Sequence, residues 1–114
     1  MYLIGYILKM YTVSQTEAFQ TWLDELSDAR AQIRIAMRLR LAEAGNLGDW
    51  EVVGGGVFEM RIDVGAGYRV YFALRGHTLM LILAGGNKPT QTKDIKRAQQ
   101  SLKLMEPDDD EETS

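Results

Sequence analysis

Apolar and polar positions alternate from Val57 to Asp63 and again from Tyr68 to Leu74, and the segment between them, DVGAG, supplies glycines for a tight turn. This pattern predicts a β-hairpin. Leu79 to Ala84 is apolar throughout, as expected of a strand covered on both faces, and the preceding RGHT supplies a second turn, so the three strands form a meander. With the first turn centred on Gly65, Arg61 stands opposite Arg69 and Glu59 opposite Tyr71. With the second centred between Gly76 and His77, Arg69 stands opposite Ala84, just before Gly85, Gly86, Asn87 and Lys88.

Helical spacing occupies the flanks. Ser14 or Thr16 can cap a first helix whose apolar stripe is Ala18, Phe19, Trp22, Leu23 and Leu26. A second helix begins near Ser27 or Asp28 and stops at Gly45, burying Ile33, Met37 and Leu41 with help from Ile35 and Leu39. A third follows Gln91, with Ile95, Ala98, Leu102 and Met105 inside and Lys93, Lys96, Arg97 and Lys103 outside. The fold class is therefore α+β. A small antiparallel sheet, the meander plus an N-terminal strand over 6–13, packs against an N-terminal helical hairpin and a C-terminal helix.

The 114 residues suffice for one domain, placed at 1–105. The chain has no cysteine and one histidine, which leaves too few ligands for a structural zinc site, a disulfide framework or cysteine catalysis; no metal and no cofactor are expected. Net charge is −3, but all the excess acid lies in residues 106–114, EPDDDEETS, whose six acids follow a body carrying a small positive balance. That tail is expected to be disordered and solubilising. The opening MYLIGYILK is apolar, yet too short to span a bilayer and without the basic start or cleavage site of a signal peptide, so a cytoplasmic protein without a membrane partner is expected.

Two arginines facing each other across a ladder repel, so Arg61 and Arg69 call for a nearby carboxylate or an anion. Glu59 and Asp63 can supply the carboxylate, which makes the group a surface charge cluster. The anion reading draws on Tyr68 and Tyr71 beside the arginines and on the Gly-Gly-Asn-Lys exit, whose backbone N–H groups and ammonium reach the same sheet end. On the second helix Arg30, Arg34 and Arg38 recur at intervals of four and form either a solvated face or a stripe that meets ribosomal RNA or an acidic protein segment. Neither GGG at 54–56 nor GGNKPT at 85–90 has phosphate-loop spacing, and His77 reads as a turn residue.

The string GDWEVVGGGVFEMRIDVGAGYRVYF, followed by LILAGGNKPTQTKDIKRA, resembles the RelE/ParE toxin superfamily, and within it the HigB-like addiction module killer proteins related to phage-derived proteins. GYRVYF and GGNKPTQ with the later DI are the most specific pieces, and the likeness runs from about Met10 to Met105. Members of that subgroup commonly begin as Met10 does, with MYTVSQTEAF, so 1–9 is either an upstream extension or part of the first strand. The resemblance implies a RelE-like fold and a toxin held by a cognate helix-turn-helix antitoxin of HigA type. It further implies metal-free cleavage of mRNA on the ribosome; other branches poison DNA gyrase, and a homologue without catalysis would only bind a partner. On that reading the catalytic candidates are Arg61, Arg69, Lys88, Glu59 and Tyr71, and the RNA-binding candidates are Tyr68, Asn87, Gln91, Arg34 and Arg38. Glu59 stands where such toxins carry a lysine, so it is either the general base or a holder of Arg61.

Overall fold

The structure is a computed structural model and describes residues 10–105. The acidic tail and most of the expected N-terminal strand lie outside the described residues. In chain order the elements are β1 (Thr12–Gln15), α1 (Glu17–Asp24), α2 (Ala29–Glu43), β2 (Trp50–Gly54), β3 (Val57–Ile62), β4 (Tyr68–Arg75), β5 (Leu79–Asn87), a 3₁₀ turn (Lys88–Thr90) and α3 (Gln91–Met105). One sheet runs β1-β5-β4-β3-β2. The α+β class and the meander are as the sequence predicts. The sheet differs in two respects: β1 pairs with β5 in parallel, so the sheet is mixed, and β2 adds a fifth strand at the far edge.

The helices start where side-chain caps are available. Thr16 accepts a hydrogen bond from Phe19 N–H and Asp28 from Ala31 N–H, which satisfies backbone donors that have no partner inside the helix. α1 and α2 cover one sheet face, and α3 covers the other, against β5, β4 and β3. Strand alternation divides the side chains between two cores. Met60, Ile62, Tyr68, Val70, Phe72, Met80 and Ile82 pack with Phe19, Ile35 and Leu39, whereas Val57, Tyr71, Ala73, Leu83 and Ala84 pack with Ala98 and Leu102.

The face of α2 that enters the core is not the expected one. Ala31, Ile35, Leu39 and Ala42 are buried, while Ile33, Met37 and Leu41 are 63%, 56% and 46% exposed. This helix carries two apolar stripes, and the one flanked by small alanines can approach the sheet more closely. Smaller corrections follow the same logic: α1 ends at Asp24, short of Leu26, Ala18 is exposed, and Met105 at the end of α3 is 45% exposed.

The first hairpin register is as predicted, with Arg61 paired to Arg69 and Glu59 to Tyr71. Its turn uses Gly65 and Gly67 at φ of 55° and 80°, a region that costs a residue with a Cβ. The second register differs. Arg69 faces Gly86, not Ala84, because the turn centres one half-step later, on His77, and a bulge between Tyr71 and Phe72 adds one further residue. That shift brings Asn87 opposite Tyr68 and carries Lys88 just beyond the hairpin.

Candidate functional site

On the α3 side of the sheet, charged residues form two rows. Glu51 and Glu59 face each other across β2 and β3, with Tyr71 next in line, and two residues along the strand Arg61 faces Arg69. Each row alone is repulsive, so stability comes from contacts between rows. Arg61 makes them: Nη2 lies 2.9 Å from Asp49 Oδ1, Nη1 lies 3.3 Å from Glu59 Oε1, and Nη1 also bonds Glu51. Asp49 and Glu51 hold the Arg61 guanidinium well above its ordinary range, Asp49 contributing most, and hydrogen bonding to Arg61 holds Asp49 below the usual carboxylate range. The compensating acids are therefore Asp49, Glu51 and Glu59, and Asp63 takes no part.

Glu59 is fully buried. Its Oε2 accepts hydrogen bonds from the Tyr71 hydroxyl at 3.1 Å and from Gln91 Nε2 at 2.6 Å. A buried carboxylate is tolerated only when paired and hydrogen-bonded, and these donors together with Arg61 meet that need. Tyr71 is itself fully buried, and burial, reinforced by the Glu59 charge, pushes its phenol upward from the ordinary value. Gln91, the first residue of α3, thus ties that helix to the sheet through Glu59.

Arg69 is held more loosely. Its Nε lies 3.7 Å from Glu59 Oε2, beyond hydrogen-bond reach, and it is buried without a hydrogen bond among the described residues. Nη1 makes only long contacts, 3.4 Å to Gly67 O and 3.5 Å to Tyr68 O. Lys88 adjoins it, since Lys88 N–H donates to Gly67 O at 2.9 Å. A Cβ added at Gly67 would stand 3.7 Å from Lys88 Cβ and 3.8 Å from Arg69 Nη1, so this glycine forms a notch between two cationic side chains.

The other expected residues fall elsewhere. Tyr68 points to the opposite face, where it is buried against Trp22 and lies 3.4 Å by its hydroxyl from Asp28 Oδ2, so it does not flank the arginines. Asn87 caps the 3₁₀ turn, its side chain accepting from Thr90 N–H, and Gln91 spends its amide on Glu59. Arg38 donates to three backbone carbonyls, Arg61 O at 2.6 Å, Leu47 O at 3.1 Å and Asp49 O at 3.4 Å; it fixes the loop into β2 and is no part of a cationic stripe. Burial lowers its guanidinium from the ordinary value, with Asp49 opposing. Arg34 stays exposed on α2.

Sequence reasoning missed Asp49 and Glu51. The signal was there: WEVV and VFEM flank three glycines, and a turn centred on Gly55 places Glu51 opposite Glu59, as observed.

The family model described as Phage derived protein Gp49-like (DUF891) matches residues 21–103. The chain belongs to this Gp49-like family. Within that setting it is similar to an uncharacterised protein of Haemophilus influenzae, 44% identical over 86 residues that span 75% of this chain and 87% of the relative. Its Gp49-like fold is also similar to a chain in the crystal structure of the toxin–antitoxin complex RelBE2 from Mycobacterium tuberculosis. The identity there is 21%, the TM-score 0.57, and the match covers 69% of this chain and 99% of that one. The likeness shows a RelE-like fold. Among the described residues of this Gp49-like chain no helix is long and apolar enough to cross a membrane, and no group of three or more His, Cys, Asp or Glu side chains could hold a metal ion.

Proposed function

We propose that the chain is the toxin of a toxin–antitoxin pair and that it cleaves mRNA on the ribosome. The observation that carries this reading is Arg69, a cation with an unspent buried donor, next to Lys88 at the Gly67 notch. RNA supplies its own nucleophile: the 2′-hydroxyl gives its proton to solvent as its oxygen attacks the adjacent phosphorus, the bond to the 5′-oxygen breaks, that oxygen takes up a proton, and a cyclic phosphate remains. What the protein contributes is orientation and charge stabilisation. The Arg69 fork suits the phosphate oxygens as they gain charge, and the Lys88 ammonium suits the departing 5′-oxygen. Glu59 is a positioning residue in this scheme. It is buried with its oxygens engaged, so its role is to hold Arg61, Tyr71 and α3 rather than to reach a 2′-hydroxyl. Arg61, enclosed by three carboxylates, buttresses the sheet end. The partners follow from the reading: ribosome, mRNA and a helix-turn-helix antitoxin of HigA type, all in the cytoplasm.

The saturation of Arg61 favours a second reading, a homologue that binds its partner without catalysis. One variant separates the two. Arg69→Ala should lower RNA cleavage in a translating extract about a hundredfold, the usual loss for one preorganised charge contact, with the circular dichroism spectrum unchanged. Growth inhibition should fall with it. A folded Arg69→Ala protein that cleaves or inhibits like the wild type removes the catalytic reading, and DNA damage signalling without RNA cleavage would indicate gyrase instead.

A further inference from the structure

The outer face of α2 carries Ile33, Met37 and Leu41 at intervals of four, all substantially exposed. Such aliphatic residues are ordinarily withdrawn from water, and a contiguous exposed row marks an interaction surface. Between these side chains Ile33, Ala36, Met37, Arg40 and Leu41 line a shallow, open depression of about 510 Å³. Through Ala36 and Arg40 it continues into a second depression of about 250 Å³ that reaches β1 at Val13 and Gln15. Arg30 and Arg34 lie beside the row toward the N-terminal end of the helix and Arg40 lies on its other side, while the only carboxylate of α2, Glu43, closes the β1 end.

We propose that this face docks an acidic amphipathic helix of a partner protein, its apolar stripe over Ile33, Met37 and Leu41 and its carboxylates against Arg34 and Arg40. Charge selects the occupant. A second copy packed face to face would set arginines against arginines. Residues 106–114 have the required charge but no apolar side chain, and residues 1–9 are apolar but carry only a lysine. RNA would use the arginines and leave three aliphatic side chains without a role, since no aromatic ring lies among the groove residues to stack a base. A helix packed along this apolar row, with acidic flanks against the arginines, uses both features. Naming the partner as the antitoxin rests on the toxin reading proposed above; the docking chemistry does not.

The test uses the full chain and a synthetic amphipathic helix with a leucine stripe flanked by glutamates, compared with the same peptide flanked by lysines, binding being followed by fluorescence anisotropy. The glutamate peptide should bind at least about tenfold more tightly, and Met37→Asp, at an exposed position that the fold does not need, should weaken it about 30-fold or more, as loss of a central anchor does. Ile33→Asp should repeat the effect, and Arg34→Glu with Arg40→Glu should reverse the peptide preference. Equal affinity for the two peptides, binding indifferent to Met37→Asp, or no binding at all would overturn the proposal. So would a concentration-dependent dimer that Met37→Asp dissolves, or displacement of the peptide by a single-stranded RNA oligonucleotide in proportion to its charge. RNA cleavage by Met37→Asp should equal that of the wild type. Selective peptide binding by a chain that cleaves no RNA would sustain this surface while refuting the RNA-cleavage reading.

Discussion

Replacing Tyr71 by Phe removes one oxygen and tests whether this residue is a strut or a participant in chemistry. The hydroxyl is fully buried and donates at 3.1 Å to Glu59, itself fully buried, so no water can take its place. A hydrogen bond to a charged acceptor contributes about 1.5–3 kcal/mol, and a Glu59 left with one fewer donor bears the loss in full. In a domain of roughly 100 residues each kcal/mol shifts the melting midpoint by about 4–8 °C, so Tyr71→Phe should melt about 6–24 °C below the wild type. Urea unfolding followed by circular dichroism gives the same quantity directly. A loss under about 0.5 kcal/mol would refute the strut assignment, as would a stable variant that has lost RNA cleavage a hundredfold.

The same residue leaves a signature in pH dependence. Burial and the Glu59 charge raise the folded-state pKa of Tyr71 above the unfolded value, about 10 for a tyrosine. Folding therefore binds this proton more tightly. The stabilisation is complete below about pH 10 and is lost as pH rises beyond it, because the unfolded chain ionises first. The limiting slope is about 1.4 kcal/mol per pH unit for one proton. Tyr68, also raised by burial and by Asp28, titrates in both proteins, so the wild type should lose stability more steeply than Tyr71→Phe by about that increment. Identical alkaline slopes would mean that Tyr71 ionises as freely in the folded chain as in the unfolded one.

Arg38→Lys should cost about 2 kcal/mol in urea unfolding, because an ammonium cannot span the carbonyls of Arg61, Leu47 and Asp49, whereas Arg34→Ala should stay within about 0.5 kcal/mol. Equal effects would show that Arg38 does not hold the loop. Gly86→Ala places a methyl group against the buried Asp94 carboxylate, which also accepts from Thr90, and should destabilise by about 1–3 kcal/mol with α3 displaced; wild-type stability in the same unfolding assay would contradict that packing.

Where one periodicity dominated, the sequence was legible. Glu59, Arg61, Arg69 and Tyr71 could be placed on one face of a hairpin because strand alternation and a two-glycine turn leave a single register that buries Met60, Ile62, Val70 and Phe72 on the other. Legibility failed where two solutions had equal local merit. Along α2, Ile33, Met37 and Leu41 are as apolar as Ile35 and Leu39, and only the fit of Ala31 and Ala42 against the sheet decides which stripe goes inside. A bulge is similarly invisible to alternation, and the one between Tyr71 and Phe72, added to a turn centred half a step later, moves Arg69 from Ala84 to Gly86.

The same alternation explains why Tyr68 and Tyr71, both apparent neighbours of Arg69, have separate duties. Position 68 is an odd number of steps from 69, so its ring must enter the α1 side, where it meets Trp22. Position 71 is an even number of steps away and shares the arginine face, but α3 covers that part of the sheet and seals the ring with Glu59 beneath it. Gln91 sits at the first position of α3, so the helix cannot shift without disturbing the carboxylate that stands between Arg61 and Arg69. The site is thus divided in depth. Buried Glu59 and Tyr71, with half-buried Gln91, fix its floor, Arg61 is spent on carboxylates at one side, and Arg69 with Lys88 is what the proposed anion would meet at the rim.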